Sequence, residues 1–115
     1  MERREMNRKE IGEAGESLAC EVLCRQGYRI LCRNYRCPYG EIDIIAGKGG
    51  KLIFAEVKTR LSDGFGAGRD SVGSTKRSRI RRAAGDFLTH SKGHYDSVDF
   101  QVIEIHVAQI CENEF

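Results

Sequence analysis

The feature that most constrains this chain is one stretch: Glu41-Ile42-Asp43-Ile44-Ile45-Ala46, then Gly47-Lys48-Gly49-Gly50, then Lys51-Leu52-Ile53-Phe54-Ala55-Glu56-Val57-Lys58-Thr59. Two β-prone apolar runs separated by a glycine cluster read as a hairpin, with strands over Glu41 to Ala46 and Lys51 to Thr59. Charges sit inside both runs. Alternate residues of a strand share a face, so Glu41 and Asp43 point one way, and Leu52, Phe54, Glu56 and Lys58 share a face of the next strand. A two-residue loop of Lys48-Gly49, or a four-residue loop of Gly47 to Gly50, places Asp43 opposite Phe54 and Glu41 opposite Glu56, all on one face. A three-residue loop separates them. With the even loop, Asp43 and Glu56 are diagonal neighbours about 7 Å apart at the backbone.

The rest of the chain supplies four more elements. Asn7 to Gln26 reads as a helix: Asn7 and Glu10 resemble a capping box, Ile11, Ala14, Gly15, Leu18, Ala19 and Val22 form an apolar stripe, and Gly27 is a natural stop. On that wheel Glu13 points away from the stripe and Glu16 lies at its edge. Tyr28 to Asn34 reads as a strand, Leu61 to Gly73 as a long glycine-rich loop, Ser74 to Thr89 as a helix with Ile80, Ala83, Ala84, Phe87 and Leu88 inward, and Val98 to Val107 as the last strand. The order αβββαβ predicts an α/β fold with a mixed sheet flanked by helices, in one domain spanning residues 1–115. At 115 residues such a domain buries about two-thirds of its unfolded surface and needs no disulfide support.

Several classes are excluded. No apolar run approaches the ~18 residues of a membrane helix, so no membrane association is expected. The charged segment Met1 to Glu10 leaves no room for an export signal, which predicts a cytoplasmic protein. Cys20, Cys24, Cys32, Cys37 and Cys111 are odd in number and contain no Cys-x-x-Cys pair, which argues for reduced thiols over a disulfide framework. A structural zinc at Cys32, Cys37 and a histidine would need an unusual arrangement, because His90, His94 and His106 do not follow finger spacing.

Two carboxylates ~6 Å apart repel by about 3 kcal/mol at an effective dielectric of ~20, so a fold that pairs them offsets the charge with a proton or a cation. Oxygen ligands from Asp43 and Glu56 suit Mg²⁺ or Mn²⁺, which keep several waters and complete their shell with phosphate. That chemistry points to phosphodiester hydrolysis, with Lys58 holding the attacking water and stabilising charge on the phosphate oxygens. Glu16 is a further ligand or orients Lys58. An acid-x-Lys triplet arises often by chance, and the solvated-face reading suits it when it stands alone. The combination of Asp43 between isoleucines, the hairpin and an upstream helix acid is what carries weight.

Together, Gly15-Glu16 with Ala19, Gly27-Tyr28-Arg29-Ile30-Leu31, Arg33-Asn34-Tyr35-Arg36, Gly40-Glu41-Ile42-Asp43-Ile44-Ile45-Ala46, Glu56-Val57-Lys58-Thr59-Arg60 and the basic helix opening at Lys76 resemble the YraN family. The resemblance runs from about Gly12 to Ile105. That family is similar to archaeal-type Holliday junction resolvases, within the restriction-endonuclease-like PD-(D/E)xK nucleases. The resemblance implies such a core, with Asp43 and Glu56 as metal-binding acids, Lys58 as catalytic lysine and Glu16 as the helix acid. It also implies an endonuclease acting on branched DNA, for which a homodimer would match two symmetric cut sites. Two positions depart from the pattern: Ile42 stands where the superfamily has proline, and Phe100-Gln101-Val102 stands where members often carry Phe-Asp-Val.

Lys76, Arg77, Arg79, Arg81 and Arg82 place five cations within seven residues, a run that by itself suits an ordinary solvated helix face. Beside a phosphodiesterase site, Arg60, Lys76, Arg77 and Arg79 become candidate phosphate contacts without base readout, which predicts salt-sensitive, structure-selective or non-specific nucleic-acid binding. The competing reading is a nucleic-acid-binding module of the same fold without useful turnover. A zinc-stabilised interaction domain is a third.

Overall fold

The computed structural model describes residues 7–61 and 73–107. Helix α1 (Arg8–Arg25) is followed by β1 (Arg29–Cys37), β2 (Gly40–Lys48), β3 (Lys51–Leu61), α2 (Ser74–His90) and β4 (Ser97–Val107). This is the expected αβββαβ order, in an α/β fold compatible with a nuclease-like core. The four strands form one sheet in the order β1-β2-β3-β4. Neighbours β1/β2 and β2/β3 are antiparallel, and β3/β4 are parallel with α2 in the crossover. The expected glycine-rich loop, the N-terminal segment and Cys111 lie largely or wholly outside the described residues. No helix among the described residues is long and apolar enough to cross a membrane.

Each sheet face carries one helix. Ala19 and Leu23 of α1 pack on Ile44, Ala46, Ile53 and Ala55. On the other face, Ala83 and Ala84 of α2 pack on Ile42, Ile45, Leu52 and Phe54. The side chain of Asn7 accepts the Glu10 N–H at 2.8 Å and starts α1, as the capping pattern predicts. The buried stripe of α1 is Gly15, Ala19 and Leu23, whereas Leu18 and Val22 are exposed. The helix is therefore rolled from the expected orientation, towards Glu16. Gly15 sets how closely it approaches, because a Cβ there would lie 1.8 Å from Thr59 Oγ1. Helix α2 is pinned to β1 by the Tyr35 hydroxyl, which donates to Asp86 Oδ2.

The hairpin register differs from the expected one. Lys48 pairs with Lys51 around Gly49-Gly50, and Ile45, not Asp43, lies opposite Phe54. The physical reason lies at Gly50, whose carbonyl accepts the N–H groups of Asp96 and Ser97 and so anchors the entry to β4. The turn therefore forms one residue later than Lys48-Gly49. The pairing sum is shifted by two, which preserves parity, and the paired residues end at Ile44 and Ala55, one short of Asp43 and Glu56.

Candidate functional site

The site grows from a defect in the sheet. Between β1 and β2, Arg33 pairs with Ile44 and Tyr35 with Ile42, and the residues between them are Asn34 and Asp43. Asn34 has φ 52°, in the left-handed region where asparagine is among the few tolerated non-glycine residues. Alternation slips there on both strands: Ile44 faces α1 while Ile42 joins Ile45 on the α2 side. Paired contacts between β2 and β3 run from the turn to Ile44 and Ala55. Beyond them, Asp43 Oδ2 accepts the Val57 N–H at 2.7 Å, so a carboxylate stands where a backbone acceptor would continue the ladder.

Asp43 is thus seated in the fork between β2 and β3. Burial raises its pKa to about 6, and Glu56, Glu16 and Glu41 add to the rise, while the Val57 N–H opposes it. Asp43 and Glu56 line one cleft of about 450 Å³ together with Gly40, Glu41, Thr75, Lys76, Arg79 and Ile80. Across it, Lys76 Nζ lies 2.6 Å from Glu56 Oε1. Arg79 reaches the cleft from a close helix-to-strand approach, since a Cβ on Gly40 would stand 3.4 Å from Arg79 Cβ.

The other expected residues stand back from this cleft. Glu16 is half-buried on the α1 side, and burial raises its pKa against the lowering effect of Arg33. With its amide nitrogen facing the acids, Asn34 donates to Glu16 Oε1 at 2.9 Å and to Glu41 Oε1 at 3.2 Å, which links the helix acid to the rim of the cleft. Lys58 is half-buried, two residues beyond Glu56 and paired with Glu104 on β4. Arg60 also turns to β4, with Nε 3.8 Å from Glu104 Oε1. Arg77 lines a neighbouring groove of about 440 Å³ with Ser74, Ser78, Arg81 and Arg82. Gln101 is level with Ala55, on the sheet face opposite the cleft, and is exposed.

Two contributors were not picked out by sequence reasoning. Asn34 matters through a positive φ and a bridging amide, neither of which spacing reveals. Glu41 shares the strand of Asp43, which was its available signal. Cys20, Cys24, Cys32 and Cys37 carry free thiols.

The donor chemistry fits a hard divalent cation. Asp43 and Glu56 offer carboxylate oxygens, and Asp43, whose pKa is raised first by burial and then by Glu56, Glu16 and Glu41, is a charge that a cation would stabilise. Among the described residues no three His, Cys, Asp or Glu side chains form a preassembled metal set. Asp43 and Glu56 are the two residues that would hold such an ion, with the rest of its shell left to water.

Residues 15–105 match a family described as Uncharacterised protein family UPF0102. Relatives called UPF0102 protein include one from Mycolicibacterium vanbaalenii, 44% identical over 90% of this chain and 85% of its own. One from Moorella thermoacetica is 51% identical over 72% of this chain and 69% of its own. A third, from Thermodesulfovibrio yellowstonii, is 44% identical over 96% of this chain and 99% of its own.

Proposed function

Since the chain belongs to the family UPF0102, whose name specifies no reaction, we propose from its site that it is a divalent-metal-dependent endonuclease of the PD-(D/E)xK type, hydrolysing phosphodiester bonds in nucleic acid. The observation that carries this reading is the pairing of Asp43 with Glu56 along one cleft whose opposite wall presents Lys76 and Arg79. Acids on one wall and cations on the other suit a metal ion bridged to a phosphate. Bound there, Mg²⁺ or Mn²⁺ polarises the phosphoryl group and lowers the pKa of a bound water.

The chain's own groups supply the remainder. Asp43, fixed by the Val57 N–H, and Glu56 hold the ion. Lys58, set back from the cleft on β3 beside β4, positions the attacking water and stabilises charge on the phosphate oxygens once the substrate is bound. Glu16 sets the orientation of the acids through Asn34 and Glu41. Arg79, with Arg77 along the neighbouring groove, tracks the backbone of the nucleic acid, so binding is structure-selective and weakened by salt. Branched DNA is the substrate this reading favours, and a homodimer is the assembly that cuts it symmetrically.

A test incubates the protein with branched, flapped, single-stranded and duplex DNA in Mg²⁺ or Mn²⁺. Asp43→Ala and Lys58→Ala should each lower cleavage by about 10²-fold or more, as loss of a principal electrostatic group does. Cleavage that survives both substitutions overturns the assignment. One observation favours a second reading, a binding module without turnover: Lys76 already neutralises Glu56, and no three-ligand set is preassembled among the described residues. Salt-sensitive DNA binding with no cleavage under either metal would select it.

A further inference from the structure

The acids around the fork are answered one at a time, two by arginines of β1, one by a backbone N–H and one by a lysine of α2. On the rim, Glu41 Oε2 lies 3.6 Å from Arg36 Nε of β1. Glu16 feels Arg33, also of β1. Asp43 has the backbone N–H of Val57. Glu56 has Lys76, at 2.6 Å and from the first turn of α2. The last pair is unlike the others in its geometry. The Glu56 side chain is 11% exposed, whereas that of Lys76 is 50% exposed, so a flexible stem reaches from solvent onto a covered carboxylate. Arg79 lies on the same wall, where a Cβ on Gly40 would stand 3.4 Å from its Cβ.

A single charge on a four-carbon stem is the simplest replaceable counter-ion for a carboxylate. One oxygen of Glu56 cannot keep a 2.6 Å contact with an ammonium and also coordinate a cation in the same direction, since the two positive charges repel. We propose that Lys76 is a tethered counter-cation that guards this site. It occupies Glu56 in the free protein, leaves when a divalent cation takes that carboxylate, and then pairs with the phosphate of the nucleic acid entering the cleft. This rests on the metal-site reading above and adds its regulation. Lys76 weakens cation binding to the free protein and rewards it when a phosphodiester is present, so cation and nucleic acid bind cooperatively.

The test measures Mn²⁺ affinity calorimetrically, with no turnover involved, on wild type, Lys76→Met, Arg77→Met and Asp43→Asn. Each variant is first checked for wild-type secondary structure by circular dichroism. Lys76→Met should bind Mn²⁺ about three- to tenfold more tightly, the range expected for releasing a partly exposed ion pair from a covered acid. Arg77→Met removes an equal charge from the same helix outside the cleft and should change affinity less than about twofold. Repeating the titrations with an uncleavable phosphorothioate oligonucleotide should tighten Mn²⁺ binding to wild type more than to Lys76→Met. Unchanged or weaker binding by Lys76→Met, or an equal gain in Arg77→Met, overturns the role of Lys76 while leaving the metal site intact. Binding unaffected by Asp43→Asn places Mn²⁺ elsewhere and overturns both readings, as does an absence of binding in wild type and Lys76→Met alike.

Discussion

At its turn, the β2–β3 hairpin is closed: Lys48 pairs with Lys51, every position back to Ile44 and Ala55 is matched, and both faces are covered by helices through apolar contacts. At its other end the same two strands part around a half-buried carboxylate that takes a backbone N–H, with further acids on either side. The closed end obeys the rules that make sheets stable. The forked end breaks alternation and collects like charges, and such costs are tolerated where they create a site. Substitutions should therefore have opposite signs at the two ends: trimming the closed end lowers stability, and neutralising the fork raises it at the expense of cation binding.

The largest effect belongs to Phe54, which is 1% exposed and lies edge-on to Phe87 at 5.9 Å and stacked with Phe100 at 5.5 Å. Phe54→Ala should cost about 3–5 kcal/mol in urea unfolding, from lost burial and the cavity left behind. A loss under about 1 kcal/mol would mean that the closed end is not the stabilising half.

Next comes the seam between α1 and β3. Gly15→Ala drives a methyl group into Thr59, with Oγ1 at 1.8 Å and Cβ at 2.9 Å, so the helix or the threonine must shift. The expected loss is about 1–3 kcal/mol, typical of overpacking. Thr59→Ala in the same chain should return part of it, and additive losses in that double-mutant cycle would show that the contact is not the cause.

At the fork the sign reverses. Folding raises the pKa of Asp43 from 3.8 to about 6, so its ionised form is disfavoured in the native state. A group raised in this way leaves stability intact below its unfolded pKa and removes it as pH climbs through the folded value, here between about 4 and 6. Asp43→Asn keeps an oxygen for the Val57 N–H and discards the charge. Above pH 6 it should be more stable than wild type by on the order of 1–2 kcal/mol, and the gap should vanish below pH 4. Saturating Mn²⁺ should narrow the gap at neutral pH by stabilising only the wild type. A pH-independent difference would assign the effect to packing.

The closed end and the element order were legible in the sequence because they rest on local rules. Periodicity marks both helices, and the glycine cluster marks the hairpin. The capping of α1 by Asn7 follows from Asn7 and Glu10 alone. What escaped depends on distant partners. The register was set by β4 taking the Gly50 carbonyl, a contact between residues more than forty positions apart. The roll of α1 follows from how Gly15 meets Thr59. Asp43 and Glu56 line the cleft where the ladder splays, and Asn34 with its positive φ ties Glu16 to Glu41 on its rim; no spacing rule encodes either. Lys76 was legible as a cation and not as the partner of Glu56, since that pairing needs the crossover of α2.

The smallest predicted effect separates two reasons for glycine in the turn. Gly49 has φ +60° and nothing within 4 Å of where a Cβ would sit, so only its backbone conformation resists substitution. Gly50 lacks that conformation, but a Cβ there would come within 2.0 Å of Asp96 Oδ2 and 3.2 Å of Asp96 Cβ. Gly49→Ala should therefore cost about 1 kcal/mol, the strain of a left-handed non-glycine residue, and Gly49→Asn only a few tenths, because asparagine tolerates that region. At Gly50 the order should change: alanine and asparagine both meet Asp96, and truncating that side chain with Asp96→Ala should recover stability for Gly50→Ala while doing nothing for Gly49→Ala. Equal rescue of both would mean that the turn is held by crowding alone, and that the left-handed residue closing the hairpin plays no part in setting the register of β2 against β3.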